Sequence, residues 1–519
     1  MKKGKRLIAL LLVMAALMLT AAGCSSNGDK DPVESNGGGP TTTARDTLNV
    51  GIAADPLNLD PNDNNSQHVQ RVKTQIYETL MARDTDGKLV GGLAERYEWE
   101  DDQTIIFHIR KGVKFHSGDE LTAEDVAFSI DRAYNMGAAN IALTYVDLPN
   151  CEVVDDYTYK MKLVSPYTPQ LSWLEWPLTA ISCKKTFEES NGDYMASPNG
   201  TGPYIVKNFV SGDRVELEAN PDYWGGEPAI KYLNMIVVTE SNNRAIMLET
   251  GELDVAVELS AVDCARIESG ANTTVVKSPS HNLNYVGMTC LHAPFDNPKV
   301  RQAVAWAIDL PACYQAAYNG VHELATSFVD PEVEGYVPVE LPGYDPEKAR
   351  QLLAEAGYAD GFTCDLTTNS EAERIALCEA IQPYLREVGI ETNIVPMEMG
   401  AYSGLIDTNT LEGIFILGAT CTTVEAEKIL RNFTSTVSGA MNTSGYRNAE
   451  FDALLDKAVA TIDDEARYDL YAQCFEILAE DVPWIPEFDK QQLTGVSRDL
   501  KGYQNGSFEC ARFKYCSWE

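Results

Sequence analysis

Seventy-seven Asp and Glu side chains, six His and twelve Cys are the residues of this 519-residue chain most able to do chemistry. Their spacing forms no catalytic pattern. There is no GxSxG elbow, no HExxH pair, no GxxxxGK[ST] phosphate loop and no GxGxxG after a strand. Among so many carboxylates a pair could always be drawn for glycoside hydrolysis, and nothing singles one out. No CxxC occurs, and setting Cys24 aside leaves an odd eleven, scattered cysteines. That argues against a disulfide framework or a zinc site and for free thiols packed as small hydrophobes, with Cys510 and Cys516 able to pair. Asp60, Asn62 and Asn64 imitate the start of a calcium loop. Asn65 stands where the loop needs glycine and Arg71 where it needs glutamate, so no such loop is expected. His108 and His116 lack convergent partners and read as strand-face and turn residues. The expectation is no metal, no cofactor and no enzyme; an anchored hydrolase is the weakest reading.

The elements that carry these residues are legible. Ile105, Phe107 and Ile109 alternate with Ile106, His108 and Arg110, a strand period. Ser117-Gly118-Asp119 marks a turn. Thr122 is placed to cap a helix with Asp125 three residues on, and Val126, Ile130 and Ala133 share one face. Residues 199–204, NGTGPY, form a tight turn whose glycines require positive φ or close backbone approach. Residues 220–226, NPDYWGG, and 251–255, GELDV, follow, and the aromatic pair Tyr223-Trp224 reads as packing. In 294–303, PFDNPKVRQA, Asn297 and Pro298 open a helix. In 344–358, YDPEKARQLLAEAGY, Asp345 and Pro346 open another and Gly357 ends it. From about residue 345 onward strands alternate with helices, the pattern of an α/β unit.

The N-terminus is of another kind. Lys2, Lys3, Lys5 and Arg6 precede an uncharged run from Leu7 to Thr20, which reads as an export leader too short to span a bilayer. It ends in LTAAGC, with small residues directly before Cys24. Residues 25–45 are rich in Gly, Ser, Asn, Pro and Thr and read as a flexible tether. The formal charge of −36 argues against nucleic acid as a partner and favours solubility.

Together these blocks resemble the extracytoplasmic solute-binding proteins of family 5, the dipeptide-, oligopeptide- and nickel-binding type that serves bacterial ABC importers. The match runs in order from Thr47 to about Val496. It implies an α/β chain: a two-lobe periplasmic-binding-protein type II-like fold with an extra subdomain in the first lobe. The expected organisation is a leader at 1–23, a tether at 24–45 and a first lobe at 46–275 with an insertion at about 60–180. A second lobe at 276–480 and a return to the first lobe at 481–519 complete it. LTAAGC is similar to a lipobox, which implies cleavage after Gly23 and a lipid on Cys24 at the outer face of the cell membrane. The implied partners are permease and ATPase subunits, and the implied state is a monomer. The implied activity is capture of a peptide or peptide-like solute by hinge closure. An oligosaccharide, a metal chelate or a sensory role is the alternative.

The resemblance also implies a test of substrate. Peptide-binding members hold the α-ammonium with an Asp in a W-x-x-D segment. Here that stretch is 417–425, LGATCTTVE, with Gly418 at the Trp, Cys421 or a neighbour at the Asp, and Glu425 or Glu427 as candidate substitutes. The expected ligand contacts are Gly418, Ala419, Thr420, Cys421 and Thr422, joined by Asn284, Tyr285, Asn64, Asn65 and Ser66.

Overall fold

The computed structural model describes residues 45–194 and 197–519. The leader, Cys24 and the tether up to residue 44 lie outside the described residues. Among the described residues no helix is long and apolar enough to cross a membrane.

Two long antiparallel strands, Thr273–Met288 and Trp484–Ser497, organise the body. They sit at the centre of an eleven-stranded sheet. On one side the sheet continues through Val255–Ala256, Thr47–Ile52, Tyr232–Val237, Arg214–Ala219 and Tyr204–Val210. On the other it continues through Ile414–Thr420, Phe362–Asn369 and Ile390–Met397. The crossing strands pair from Thr273 to Pro279, lose register, and pair again from Leu283 to Gly287. In that break His281 takes a left-handed φ of 50°. The two halves of the sheet are thus joined through an irregular stretch of ladder, a site where backbone can bend.

A separate four-stranded sheet, in the order Ala94–Asp101, Thr104–Ile109, Thr158–Lys162 and Glu152–Asp155, carries its own core. Ile105, Phe107, Ile109, Val126 and Ile130 are buried in it, as the strand and helix periods require. Thr122 opens the helix Ala123–Asn135, and its backbone N–H donates to Asp125 Oδ2 at 3.0 Å, closing the capping box from the far side. The Pro298–Ala307 and Pro346–Glu355 helices begin at the expected caps, Asn297 and Asp345.

The sequence blocks lock onto one another. Glu78 accepts from Tyr223 Oη at 2.7 Å, Trp224 Nε1 at 2.8 Å and Thr201 Oγ1 at 2.9 Å. Gly200 and Gly202 are required by close approach: a Cβ on either would lie 2.1 or 2.6 Å from the Ile76 carbonyl oxygen. His116 joins the same junction. Its Nε2–H donates to the Gly202 carbonyl at 2.9 Å, and its backbone N–H donates to Gly200. His108 sits half-buried on the strand face, beside Glu98. All eleven described cysteines are free, Cys510 and Cys516 among them, so the pair left open does not form.

Burial pushes the His116 imidazole down to about 4 against its carbonyl contact. The unfolded chain therefore binds more protons than the folded one between pH 6.5 and 4. This contribution to stability is complete above pH 6.5 and is lost on acidification at about 1.4 kcal/mol per pH unit. Denaturant titrations from pH 6.5 to 4.5 should show a slope shallower by about that amount in His116→Gln. An unchanged slope would mean that His116 is already charged in the fold.

Candidate ligand-binding cleft

A cavity of about 760 Å³ opens beside the crossing strands. One wall comes from the 47–262 half. Gln67 and His68 stand at the start of the Gln67–Ile76 helix, and residues 258–262 follow the short Val255–Ala256 strand. The facing wall comes from Asn282 and Asn284 on the first crossing strand, Tyr318, Asn319 and His322, and Arg374 with Glu371 and Glu373. Phe488, Lys490, Gln491 and Gln492 of the second crossing strand form the floor between them.

Arg374 is the cation that the second wall presents. It lies in the first turn of the Ala372–Glu387 helix, just past the carboxyl end of the Phe362–Asn369 strand, which runs parallel to Ile390–Met397. Open α/β sheets place ligands at such ends, where the helix start also favours negative charge. Arg374 Nη2 donates to Asn284 Oδ1 at 3.3 Å, and Nε lies 3.4 Å from Glu371 Oε2. Glu371 is 63% exposed while Arg374 is 15% exposed, so water screens that ion pair and leaves the guanidinium able to take a better partner. On the opposite wall the buried Arg71 is already committed. It pairs with Glu258 and, at 3.1 Å, with Glu509.

Where the facing wall meets the floor the lining is aromatic. His322 stacks on Phe488 with ring centres 4.8 Å apart, and Tyr318 lies 4.6 Å from the same ring. Burial holds His322 down at about 4, so its ring is neutral at pH 7. Carboxamides enter the lining from Gln67, Asn282, Asn284, Asn319, Gln491 and Gln492, alongside the carboxylates of Glu258, Glu371, Glu373 and Glu509. Amides can donate and accept, which suits a ligand that carries peptide groups. A smaller cavity, about 340 Å³, lies near Glu78, Arg83, Trp224 and Arg512.

The expected contact residues fall into three places. Asn284 lines the cleft. Gly418 borders it: a Cβ there would lie 3.1 Å from Asn282 Oδ1 and 3.5 Å from Arg374 Nη2. Ala419 and Thr420 continue the same strand, and Thr420 Oγ1 accepts from Asn282 at 2.7 Å. Asn64, Asn65 and Ser66 form the loop before the Gln67 helix. Asn64 is bound within that loop, accepting from Ser66 N–H at 2.9 Å, and Asn65 is exposed. Tyr285 is turned into the core, stacked 3.7 Å from Trp484, and Cys421 is buried with its thiol on the Glu425 carbonyl. Thr422, half-buried, begins the turn away from the cleft.

Beyond Cys421 the chain meets the four-stranded sheet's unit. Arg83 Nε lies 2.9 Å from Glu175, Nη1 lies 3.0 Å from Glu334, and Nη2 donates to the Thr423 carbonyl at 3.1 Å. Glu425 accepts from Ser172 at 2.7 Å and from Arg467 and Tyr471 at 3.0 Å. Glu427 pairs with Arg431 and accepts from Tyr167 at 3.1 Å. Both acids expected as substitutes for the missing Asp are therefore engaged elsewhere. Among the described residues no group of three or more His, Cys, Asp or Glu could hold a metal ion.

Two α/β halves joined by crossing strands, with a polar cleft beside the crossing, define a two-lobe solute-binding protein. The profile of the bacterial extracellular solute-binding proteins, family 5, matches residues 88–439. The chain belongs to that family: it is the substrate-binding component of an ABC importer and not an enzyme. It is 31% identical over 478 residues to the glutathione-binding protein GsiB of Salmonella choleraesuis, covering 89% of this chain and 93% of that one. The Escherichia coli O157:H7 GsiB is 30% identical over 482 residues, covering 89% and 92%. Among solved structures, HbpA2 from Haemophilus parasuis aligns with a TM-score of 0.84 at 28% identity, over 91% of this chain and all of that one. The periplasmic binding protein DppA from Helicobacter pylori, in complex with the peptide STSA, aligns at 0.73 and 25%, over 92% and 98%.

Proposed function

We propose that the chain captures a short peptide carrying a free carboxylate, glutathione or a peptide of similar size, in the 760 Å³ cleft. The observation that carries this reading is Arg374, a guanidinium on the cleft wall that among the described residues hydrogen-bonds to Asn284 and pairs with the largely exposed Glu371. Glutathione and short peptides are what the GsiB relatives and the DppA structure are named for. On this reading 46–275 with its insertion at about 60–180, together with 481–519, is one lobe and 276–480 the other. The irregular stretch of crossing strands is the hinge. Ligand contacts to both walls stabilise the closed form, which the permease subunits recognise.

A thermal-shift screen of the protein against peptides, sugars and metal chelates tests this. A peptide at 100 times its dissociation constant stabilises by about 2.7 kcal/mol. A shift produced by a sugar or chelate and by no peptide would overturn the reading.

The protein acts outside the cytoplasm, and we propose that a lipid on Cys24 anchors it to the membrane as a monomer. The basic leader and the small residues before Cys24 support that attachment. Cys24→Ala should release the protein from the membrane fraction. Retention of that variant on the membrane would exclude the lipid as the anchor.

A further inference from the structure

The four-stranded unit meets the stretch 334–459 along a seam of polar contacts. Arg83 reaches Glu334 at 3.0 Å and the Thr423 carbonyl at 3.1 Å. Ser172 Oγ donates to Glu425 at 2.7 Å, and Tyr167 Oη donates to Glu427 at 3.1 Å. Arg431 donates to Tyr145 Oη at 2.7 Å, and the Thr168 backbone N–H donates to the Val459 carbonyl at 2.8 Å. Glu425 and Glu427 are deeply buried. Among the described residues Val459 is the one apolar side chain packed against both of the cores that the seam separates. Domains joined by such polar interfaces move relative to one another by default.

The charges of the seam keep partners on their own side. Arg83 holds Glu175 at 2.9 Å within the four-stranded unit. Glu425 holds Arg467 and Tyr471, both at 3.0 Å, and Glu427 holds Arg431. Glu334 is 21% exposed and can pass into water. Parting a buried ion pair is usually costly because it strands a charge. This seam can part with no buried charge stranded, leaving hydroxyls, carbonyls and one half-wet carboxylate to be hydrated.

The cleft stands open while the seam is made. Val262 on one wall is 83% exposed, and Asn319 and Glu373 on the other are exposed. Among the described residues no hydrogen bond or ion pair runs from one wall to the other. The stretch 334–459 belongs with the wall of Arg374, and the four-stranded unit is fixed to the other half at the Glu78 and His116 junction. Bringing the walls together therefore turns one side of the seam against the other. Its contacts are spread from Glu334 to Val459 and cannot all lie on the axis of that turn. Those off the axis stretch past about 3.6 Å, where a hydrogen bond is gone.

We propose that the seam is a latch on the open form: it is made while the cleft is empty and parts when the lobes close on a solute. The assignment rests on the lobe and hinge reading given above. Such a latch weakens binding, because the apparent dissociation constant is the intrinsic one divided by the fraction of molecules unlatched.

Hydrogen exchange on the full chain, with and without glutathione as the probe, tests this. With glutathione bound, the fragment spanning Thr168 should exchange faster, while the cleft fragments at 67–68 and 318–322 exchange more slowly. The double variant Tyr167→Phe with Ser172→Ala removes two crossing donors and leaves Glu425 with Arg467 and Glu427 with Arg431. It should bind glutathione with about 5-fold or more higher affinity. Its empty form should show a smaller radius of gyration in solution scattering than the empty wild type. Tyr145→Phe, which takes the acceptor from Arg431, should act in the same direction. Unchanged or slower exchange at Thr168 while the cleft is protected, or variants that bind no more tightly, would overturn the latch. The exchange result decides on wild type alone if the variants fail to fold. If glutathione protects no fragment, the peptide reading fails, and scattering from the empty variants decides: a smaller radius supports the latch and an unchanged one overturns it.

Discussion

Arg374→Gln should weaken binding of a peptide with a free carboxylate by roughly 30- to 700-fold, about 2 to 4 kcal/mol. The guanidinium sits 15% exposed on a cleft wall, and its acidic contact, Glu371, is mostly in water. A ligand carboxylate arriving there gains a charge-assisted, two-point contact in a place from which water is displaced. Glutamine keeps an N–H donor but is two atoms shorter and loses the charge and the fork. Lysine would restore the charge without the paired geometry and should recover only part of the loss. The control is the same peptide as its carboxamide, which should bind the wild type weakly and be nearly indifferent to the substitution. An equal loss for acid and amide would mean that Arg374 shapes the wall and does not read the ligand.

The second large effect concerns stability. Arg83 is 1% exposed and lies among Glu175, Glu334 and the Thr423 carbonyl. It ties the four-stranded sheet's unit to the segment that leads away from Gly418. Arg83→Met removes the shared guanidinium from two acids in a poorly solvated place and should cost about 3 to 5 kcal/mol in denaturant unfolding. Lysine should rescue little, because a single ammonium cannot reach both carboxylates and the carbonyl with the same geometry. Adding Glu175→Gln and Glu334→Gln to Arg83→Met should return most of the loss, since the penalty comes from stranded charge more than from the bond itself. A loss below about 1 kcal/mol in the single variant would show that water reaches these acids.

Much of the scaffold was legible in the sequence. Thr122 with Asp125, Asn297 with Pro298, and Asp345 with Pro346 state helix starts through local chemistry, and the structure places those starts there. The glycines of NGTGPY announced a constraint, although the choice between positive φ and close approach needed the partner backbone at Ile76. The stretch 417–425 was harder. Read as one contact loop, it divides: Gly418 borders the cleft, while Cys421 and Glu425 turn toward Ser172 and Arg467. That division depends on where the strand Ile414–Thr420 ends and on which unit packs behind it, and neither is a local property of the sequence.

Arg374 left a usable signal, an arginine in the first helical turn after a strand of a parallel pair, which is where α/β sheets bind ligands.

The most direct measurement is a crystal structure of the full chain with the peptide that gives the largest thermal shift. Ligand density is expected in the 760 Å³ cleft, with the peptide carboxylate on Arg374, its backbone against Asn282 and Asn284, and its chemistry unchanged. Density in the smaller cavity beside Glu78 and Trp224, with the cleft at Arg374 filled only by solvent, would contradict that expectation.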